Sequence, residues 1–430
     1  MTALHRTAPA PPVRAVHLGL GGFFRAHQAW YTDRAGDDWG IAAFTGRRPD
    51  LARALAAQDG LYTLITRGAE GDAFDVVRSV ARAHAADERD AWLGYLASPD
   101  VRVVTLTVTE AGYRPDAAPA RLLAGLRARR EADAGPLTLV PCDNLPGNGT
   151  VLDTALRELA DPLLREWMDR YVSVATTMVD RITPEPTDAD RRAVVAATGI
   201  DDHCPVATEP FREWIVAGDF PGGRPAWEKA GAVFTEDVRP FEERKLWLLN
   251  GSHSLLAYAG TLRGHTTVAG AIADDVCRGW VESWWDVCGP YLALPGDDVA
   301  RYRAALLERF ANPRMRHALA QIAADGSQKL PVRFLPVLRR ERAAGRLPEA
   351  AVVVLAAWLL HLTGGPVRDV RAHELRPLVA GGLPDAVPRV LASLYPALAD
   401  DADLVAAVAQ TAVGAFHDGV RGAGRTAPSA

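Results

Sequence analysis

"VRAVHLGLGGFFRAHQAWYTDRA", from Val13 to Ala35, decides how the rest of the chain is read. Val13–Leu18 suits a short buried strand, Gly19, Gly21 and Gly22 make a turn, and the remainder suits a helix. A strand, a glycine turn and a helix start are the context that a dinucleotide-binding turn requires. Glycines let the backbone approach a pyrophosphate, and a helix N-terminus favours its negative charge. The third position of the G-x-G-x-x-G pattern holds Phe24, so the turn alone leaves open a tight turn with no ligand.

Working outward, strand patterns alternate with helical ones. Residues 39–46, 101–110, 137–144 and 171–180 read as further strands, with helices such as "PDLARALAAQ" and "GTVLDTALRELA" between them. That alternation predicts a mostly parallel, doubly wound sheet. Ligands bind such sheets beyond the carboxyl ends of the strands. Those ends carry Thr109-Glu110, Asp143-Asn144 and Asp180-Arg181 on what reads as one sheet. After the second strand, where a ribose-binding acid is usual, stand Arg47 and Arg48. Arginine there suits a 2′-phosphate, which leaves NAD and NADP both open, with NAD the first choice.

From Val238 onward helical patterns dominate. The predicted organisation is α/β: a Rossmann-type doubly wound domain over residues 1–237, then a mainly α-helical domain over residues 238–430 that carries substrate binding and catalysis. The tail "GAGRTAPSA" reads as disordered.

The bulk numbers set limits. A chain of 430 residues exceeds what one core usually serves. Its net charge of -5 lacks the basic face a nucleic-acid partner needs. No apolar run matches a signal peptide or a membrane span, so a cytoplasmic enzyme is expected. Cys142, Cys204, Cys277 and Cys288 are scattered, which suits reduced thiols and gives no zinc pattern. His203 beside Cys204 is at most half a metal site, and no metal is expected.

One helix stands out. "KLWLLNGSHSLLAYAG", Lys245 to Gly260, is apolar all round, as buried helices are. At about 100° per residue, Lys245, Asn250 and His253 fall within about 140° of one another. The plain reading is a snorkelling lysine and a satisfied core histidine. The chemical reading is a desolvated lysine acting as base on an alcohol, with asparagine amides stabilising the alkoxide and a histidine fixing a hydroxyl.

Here the chain resembles the mannitol dehydrogenase family of polyol-specific long-chain dehydrogenases, over roughly residues 13–420. "HLGLGGFFRAHQAWYTD", "AAQDGLYTL", "VTLTVTEAGY", "CDNLPGNG", "MVDRITP" and "DGSQKLP" occur in family order, and "ERKLWLLNGSHSLLAYAG" is similar to the K-x4-N-x2-H signature. The resemblance implies metal-independent oxidation of a secondary alcohol of a sugar alcohol or sugar acid. By position it implies Lys245 as general base, Asn144 and Asn250 as the oxyanion hole, and His253 on the substrate. It also implies Asp180 and Lys329 on substrate hydroxyls. The candidate cofactor contacts are Gly19, Gly21, Gly22, Phe23, Arg25, Arg47, Thr109 and Glu110.

Two departures bear on the substrate. Where mannitol-type members carry an arginine, eight residues before Lys329, this chain has Gln321. With Arg333, that glutamine is similar to the fructuronate reductase (mannonate oxidoreductase) branch, whose sugar-acid substrate needs a cation such as Arg333 or Lys329. Ala111 replaces a lysine common in the family. The expected reaction interconverts D-fructuronate and D-mannonate, with a mannitol 2-dehydrogenase or another hexitol or pentitol dehydrogenase as the alternative. A ligand-sensing Rossmann protein would not need the lysine and both asparagines. The expected partner is a small sugar acid or polyol, with no nucleic acid and no membrane, in a monomer or small homo-oligomer.

Overall fold

In a computed structural model of the chain, Val13–Leu18 lies inside a six-stranded sheet whose strands are all parallel. The order across it is Val80–His84, Gly40–Phe44, Val13–Leu18, Val103–Leu106, Leu137–Pro141 and Val172–Val174. Counted along the chain, this is the doubly wound order in which the first strand lies between the second and fourth. The structure describes residues 2–414 except 47, 316, 365 and 366, and residue 384 by its backbone alone. The tail read as disordered lies outside the described residues.

Alternate strand residues feed opposite faces, as the pleat requires. Ala15, Val103 and Val140 join a core with Phe24, Tyr31 and Trp214, while Val16, Val104 and Leu139 join one with Trp92, Leu122 and Leu152. Both faces are therefore covered, which is why every residue of Gly40–Phe44 and Leu137–Pro141 is buried.

Three strand readings need correction. Val80–His84, an edge strand, was not anticipated. The third strand stops at Leu106, and Glu110–Tyr113 is a single 3-10 turn rather than strand. The run from Tyr171 to Asp180 breaks at Ala175: Val172–Val174 closes the main sheet, while Thr176–Asp180 pairs antiparallel with Glu213–Ala217 in a separate sheet. Asp180 therefore does not sit on the same sheet as Asp143 and Glu110. Asn148 bridges the break, donating to the Thr177 carbonyl at 2.9 Å and accepting from its N–H at 3.0 Å.

The third-glycine position has a physical explanation. A glycine there normally permits close helix–strand packing. In its place the Phe24 ring lies flat on the His17 imidazole, centroids 3.7 Å apart and 12° from parallel. His17 is fully buried and shares a 2.8 Å hydrogen bond with Thr105 Oγ1.

The chain divides into two compact units, Met1–Arg239 and Pro240–Ala430. The second is helical throughout its described residues apart from an isolated bridge between Thr267 and Ala318. Its most apolar helix, Glu349–Thr363, buries Ala350 through Leu359. No helix among the described residues is long and apolar enough to cross a membrane.

Burial pushes the His17 pKa from the ordinary 6.5 down to about 3. Between those values the unfolded chain holds more protons than the folded one, so stability falls as pH falls. Wild type should lose stability relative to His17→Leu as urea melts move from pH 7 to pH 4. Parallel pH curves for the two proteins would contradict this account of the strand.

Candidate functional site

In the first unit the glycine turn crosses the carboxyl end of the sheet. Gly19 and Leu20 donate to the Phe44 carbonyl at 2.9 and 2.8 Å, and Thr107 N–H donates to Leu18 at 2.9 Å. The turn is thus tied to the strands on both sides. Gly19 adopts φ +109, and a Cβ there would overlap the Thr107 carbonyl. Only glycine meets both conditions. Gly21 differs: its φ of -147 suits any residue, and an added Cβ would meet only the Gly19 carbonyl, at 3.6 Å. Nothing within the described chain requires glycine at 21. An open backbone above the switch point of a doubly wound sheet is the cradle a dinucleotide pyrophosphate fits. Gly22 meets only side-chain methyls at ordinary contact distance.

The helix after the turn is short. Gly22–Ala26 breaks at His27 before Gln28–Ala35 begins, so the helix-dipole contribution expected of it is small. Arg25 is buried and serves the turn itself. Its guanidinium donates to the Cys204 carbonyl and, at 3.2 Å, to the Gly21 carbonyl. Phe23 is half-buried and stacks on His27 at 4.9 Å. Thr109 and Glu110 are exposed at the start of the 3-10 turn. Arg47 lies outside the described residues.

Asp143 joins the loops after two strands, accepting from Val108 N–H and from the Tyr113 hydroxyl. Burial raises its carboxyl to about 6 despite both hydrogen bonds. Asn144, beside it, is exposed. Asp180 is buried at the end of its own strand, next to Arg181, whose guanidinium donates to the carbonyls of Ala26 and Glu209.

In the second unit the Lys245 helix is not a regular α-helix. Arg239–Arg244 is α-helical, Lys245–Asn250 is π-helical, Gly251–Leu255 returns to α and Leu256–Gly260 is π again. This corrects the even 100° spacing assumed above. A π-turn closes from i to i+5, so Asn250 sits one turn along from Lys245 on the same face. Lys245 and Asn250 are half-buried, not sunk as the apolar pattern suggested, while His253 is buried.

Side chains from two other helices hold the wide turn. Trp284 Nε1 donates to the Trp247 carbonyl at 2.8 Å, and Trp285 Nε1 to the Leu248 carbonyl at 3.0 Å. Arg333 Nη1 donates to the Asn250 carbonyl at 3.1 Å and to Ser254 Oγ at 2.9 Å. Gly251 makes room, since a Cβ there would stand 2.7 Å from the Trp284 indole nitrogen. Neither tryptophan nor Ser254 was singled out from the sequence; no motif marks a donor to a helix carbonyl.

Of the predicted substrate residues, Arg333 thus packs against the signature helix from the helix Gly326–Arg333. Lys329 directs its ammonium at the carbonyls of Ile322 and Ala324, at 3.1 and 2.5 Å, and burial and Arg333 lower its pKa. Gln321 is exposed and makes no side-chain hydrogen bond to a described residue. His253 stacks at 5.1 Å on Phe310 and lies 4.9 Å from His317. Burial, then His317, Arg333, Arg309 and Lys329, hold its pKa well below the ordinary 6.5.

One group among the described residues has ligand atoms close enough for a metal: His265, Asp274 and Cys277, not the pair His203 and Cys204. Asp274 there accepts from Arg263 at 2.7 Å and from His265 at 3.0 Å and caps its own helix. Its carboxylate is already neutralised by a guanidinium.

Comparison with known proteins gives two family matches that together cover most of the chain. Residues 13–229 match the mannitol dehydrogenase Rossmann domain, and residues 237–412 match the mannitol dehydrogenase C-terminal domain. The chain is 40% identical to D-arabinitol 4-dehydrogenase of Ralstonia nicotianae, covering 81% of this chain and 83% of that protein. It is 37% identical to D-mannonate oxidoreductase of Escherichia coli, covering 85% and 83%. Among solved structures, Pseudomonas fluorescens mannitol 2-dehydrogenase in a ternary complex with NAD and D-mannitol superimposes with a TM-score of 0.80 at 34% identity. That superposition covers 98% of this chain and 95% of the other.

The two glycines separate folding from binding. Gly21→Ala should leave the melting temperature within about 2 °C of wild type and weaken NADH binding at least about tenfold. Gly19→Ala should lower the melting temperature. Titration of cofactor fluorescence and thermal melts check both, and unchanged NADH affinity in Gly21→Ala would remove the cradle.

Proposed function

The chain belongs to the mannitol dehydrogenase family, and we propose that it is a metal-independent, NAD(P)-dependent oxidoreductase interconverting a sugar acid with its 2-keto form, D-mannonate and D-fructuronate first among them. The observation that carries this reading is the alignment of Lys245 with Asn250 along the π-turn, with the Arg333 guanidinium bonded to that same turn.

Each residue has a role that its chemistry supports. Lys245 takes the proton of the reacting hydroxyl during oxidation and returns one during reduction. The amides of Asn250 and Asn144 donate to the oxygen as it gains negative charge. His253, neutral because burial and its cationic neighbours disfavour a further charge, offers hydrogen bonds to a substrate hydroxyl and leaves proton removal to Lys245. Asp180 accepts from substrate hydroxyls. Gly19, Gly21 and Gly22 hold the pyrophosphate of the dinucleotide, which when bound supplies hydride transfer. Arg333 contributes positive charge for a carboxylate while fixing the turn.

A second reading, a hexitol or pentitol dehydrogenase, is supported by the likeness to the arabinitol and mannitol enzymes. Initial rates with D-fructuronate and D-fructose, each with NADH and NADPH, separate the two. Faster turnover of D-fructuronate is expected; turnover of D-fructose alone would replace the first reading by the second. Lys245→Ala should lower kcat by about 10²- to 10⁴-fold with cofactor binding retained. Unchanged kcat would remove the lysine from the mechanism.

A further inference from the structure

His317 belongs to no motif, yet it stands beside the functional helix in a fixed position. Its backbone is pinned: Val268 N–H donates to the His317 carbonyl at 3.0 Å, Leu319 N–H donates to Thr266 at 3.0 Å, and Thr267 and Ala318 form the bridge. That pinning sets the imidazole edge-on against His253, with centroids 4.9 Å apart and planes at 80°. On its other contact His253 meets Phe310, an apolar ring.

His253 is 8% exposed, and its Nε2 has no hydrogen-bond partner among the described residues. A buried ring nitrogen left without a partner costs free energy unless a ligand supplies one. The charged groups that act most strongly on His253 are His317, Arg333, Arg309 and Lys329, and all four are cationic or can become so. Two of them have fixed duties, Arg333 on the carbonyl of Asn250 and Lys329 on those of Ile322 and Ala324. A site whose strongest charged neighbours are cationic or able to become so, with a ring nitrogen awaiting a partner, suits an anionic group, and among candidate substrates the carboxylate of a sugar acid supplies one.

We infer that His317 is a specificity-determining residue that, beside His253, receives the carboxylate of a sugar-acid substrate. The inference rests on the sugar-acid reading above and deepens it. Recognition is by a charge-assisted hydrogen bond: the carboxylate accepts from the imidazole of His317, and its negative charge favours protonation of a ring that burial and Arg309 otherwise keep neutral. A polyol offers no such charge, so this contact separates the two substrate classes.

The test compares kcat and KM for D-fructuronate and D-fructose in wild type, His317→Phe and His317→Gln. Phenylalanine keeps an aromatic edge against His253 and removes the donor; glutamine restores an N–H. With His317→Phe, kcat/KM for D-fructuronate should fall about 10- to 100-fold, mainly through KM, while that for D-fructose moves by less than about threefold. His317→Gln should recover much of the loss. Should His317→Phe fail to fold by circular dichroism, His317→Ala takes its place in the same comparison. An equal fall for both substrates, or no fall for either, overturns the assignment and leaves the sugar-acid reading standing. A wild type that reduces D-fructose and not D-fructuronate overturns both.

Discussion

Three side-chain donors on the carbonyls of one helical turn are the constraint on which the rest of the second unit depends. Trp284, Trp285 and Arg333 bond to the carbonyls of Trp247, Leu248 and Asn250. A π-turn is a rare conformation and needs compensation for its poorer backbone geometry. Here the compensation comes from donors on other helices, so the turn is a product of tertiary structure and not of local propensity. Its consequence is geometric. Closing from i to i+5 brings Asn250 into line with Lys245, a lysine and an amide on one face. The second π-turn, Leu256–Gly260, is also held from outside, with the Tyr258 hydroxyl donating to Ala323 at 2.9 Å. That bond ties the helix to the segment leading into Lys329.

The first unit solves a different problem, that of exposing backbone to a ligand without losing order. It divides the work between neighbouring glycines. Gly19 is needed by the protein, because the chain must pass over Thr107 at positive φ. Gly21 is needed by nothing among the described residues, and so its bare backbone is available. Arg25 stiffens this arrangement from behind, with Gly21 and Cys204 as acceptors and the Tyr62 hydroxyl donating to its own carbonyl at 2.6 Å. A buried guanidinium is costly unless its donors are used, and these contacts use them.

Much of this was legible in the sequence, and the failures have causes. The Val13–Leu18 strand, its turn and the parallel sheet show through because both-face burial forces apolar strands. Val80–His84 does not, because at the sheet edge only Val80 and Ala81 are buried, and Arg82 and His84 interrupt any apolar run. The break at Ala175 carries no proline or glycine, so one apolar run hid two strands from different sheets. A 3.6-residue period cannot reveal a π-turn, since the residues that impose it lie at 284, 285 and 333. Arg333 was found through a resemblance, and its bond to Asn250 through the structure alone. His317 is invisible for the same reason: its meaning comes from the ring it faces.

The electrostatics of the Lys245 helix also narrow the chemistry. A proton leaving a hydroxyl needs an acceptor that is vacant near neutral pH. His253 is neutral and in that sense vacant, yet its burial, then His317, Arg333, Arg309 and Lys329, oppose any added positive charge. A base that cannot hold its proton gives little driving force for removing one. Arg333, lowered only to about 10, stays charged and donates to the turn. Burial and Arg333 lower the pKa of Lys329, while the carbonyls of Ile322 and Ala324 accept from its ammonium. These charges support the proposal above that Lys245 is the proton acceptor. It lies one π-turn from the Asn250 amide. On the proposed reading, the same positive field that disfavours a charged His253 favours a substrate that brings a negative charge of its own.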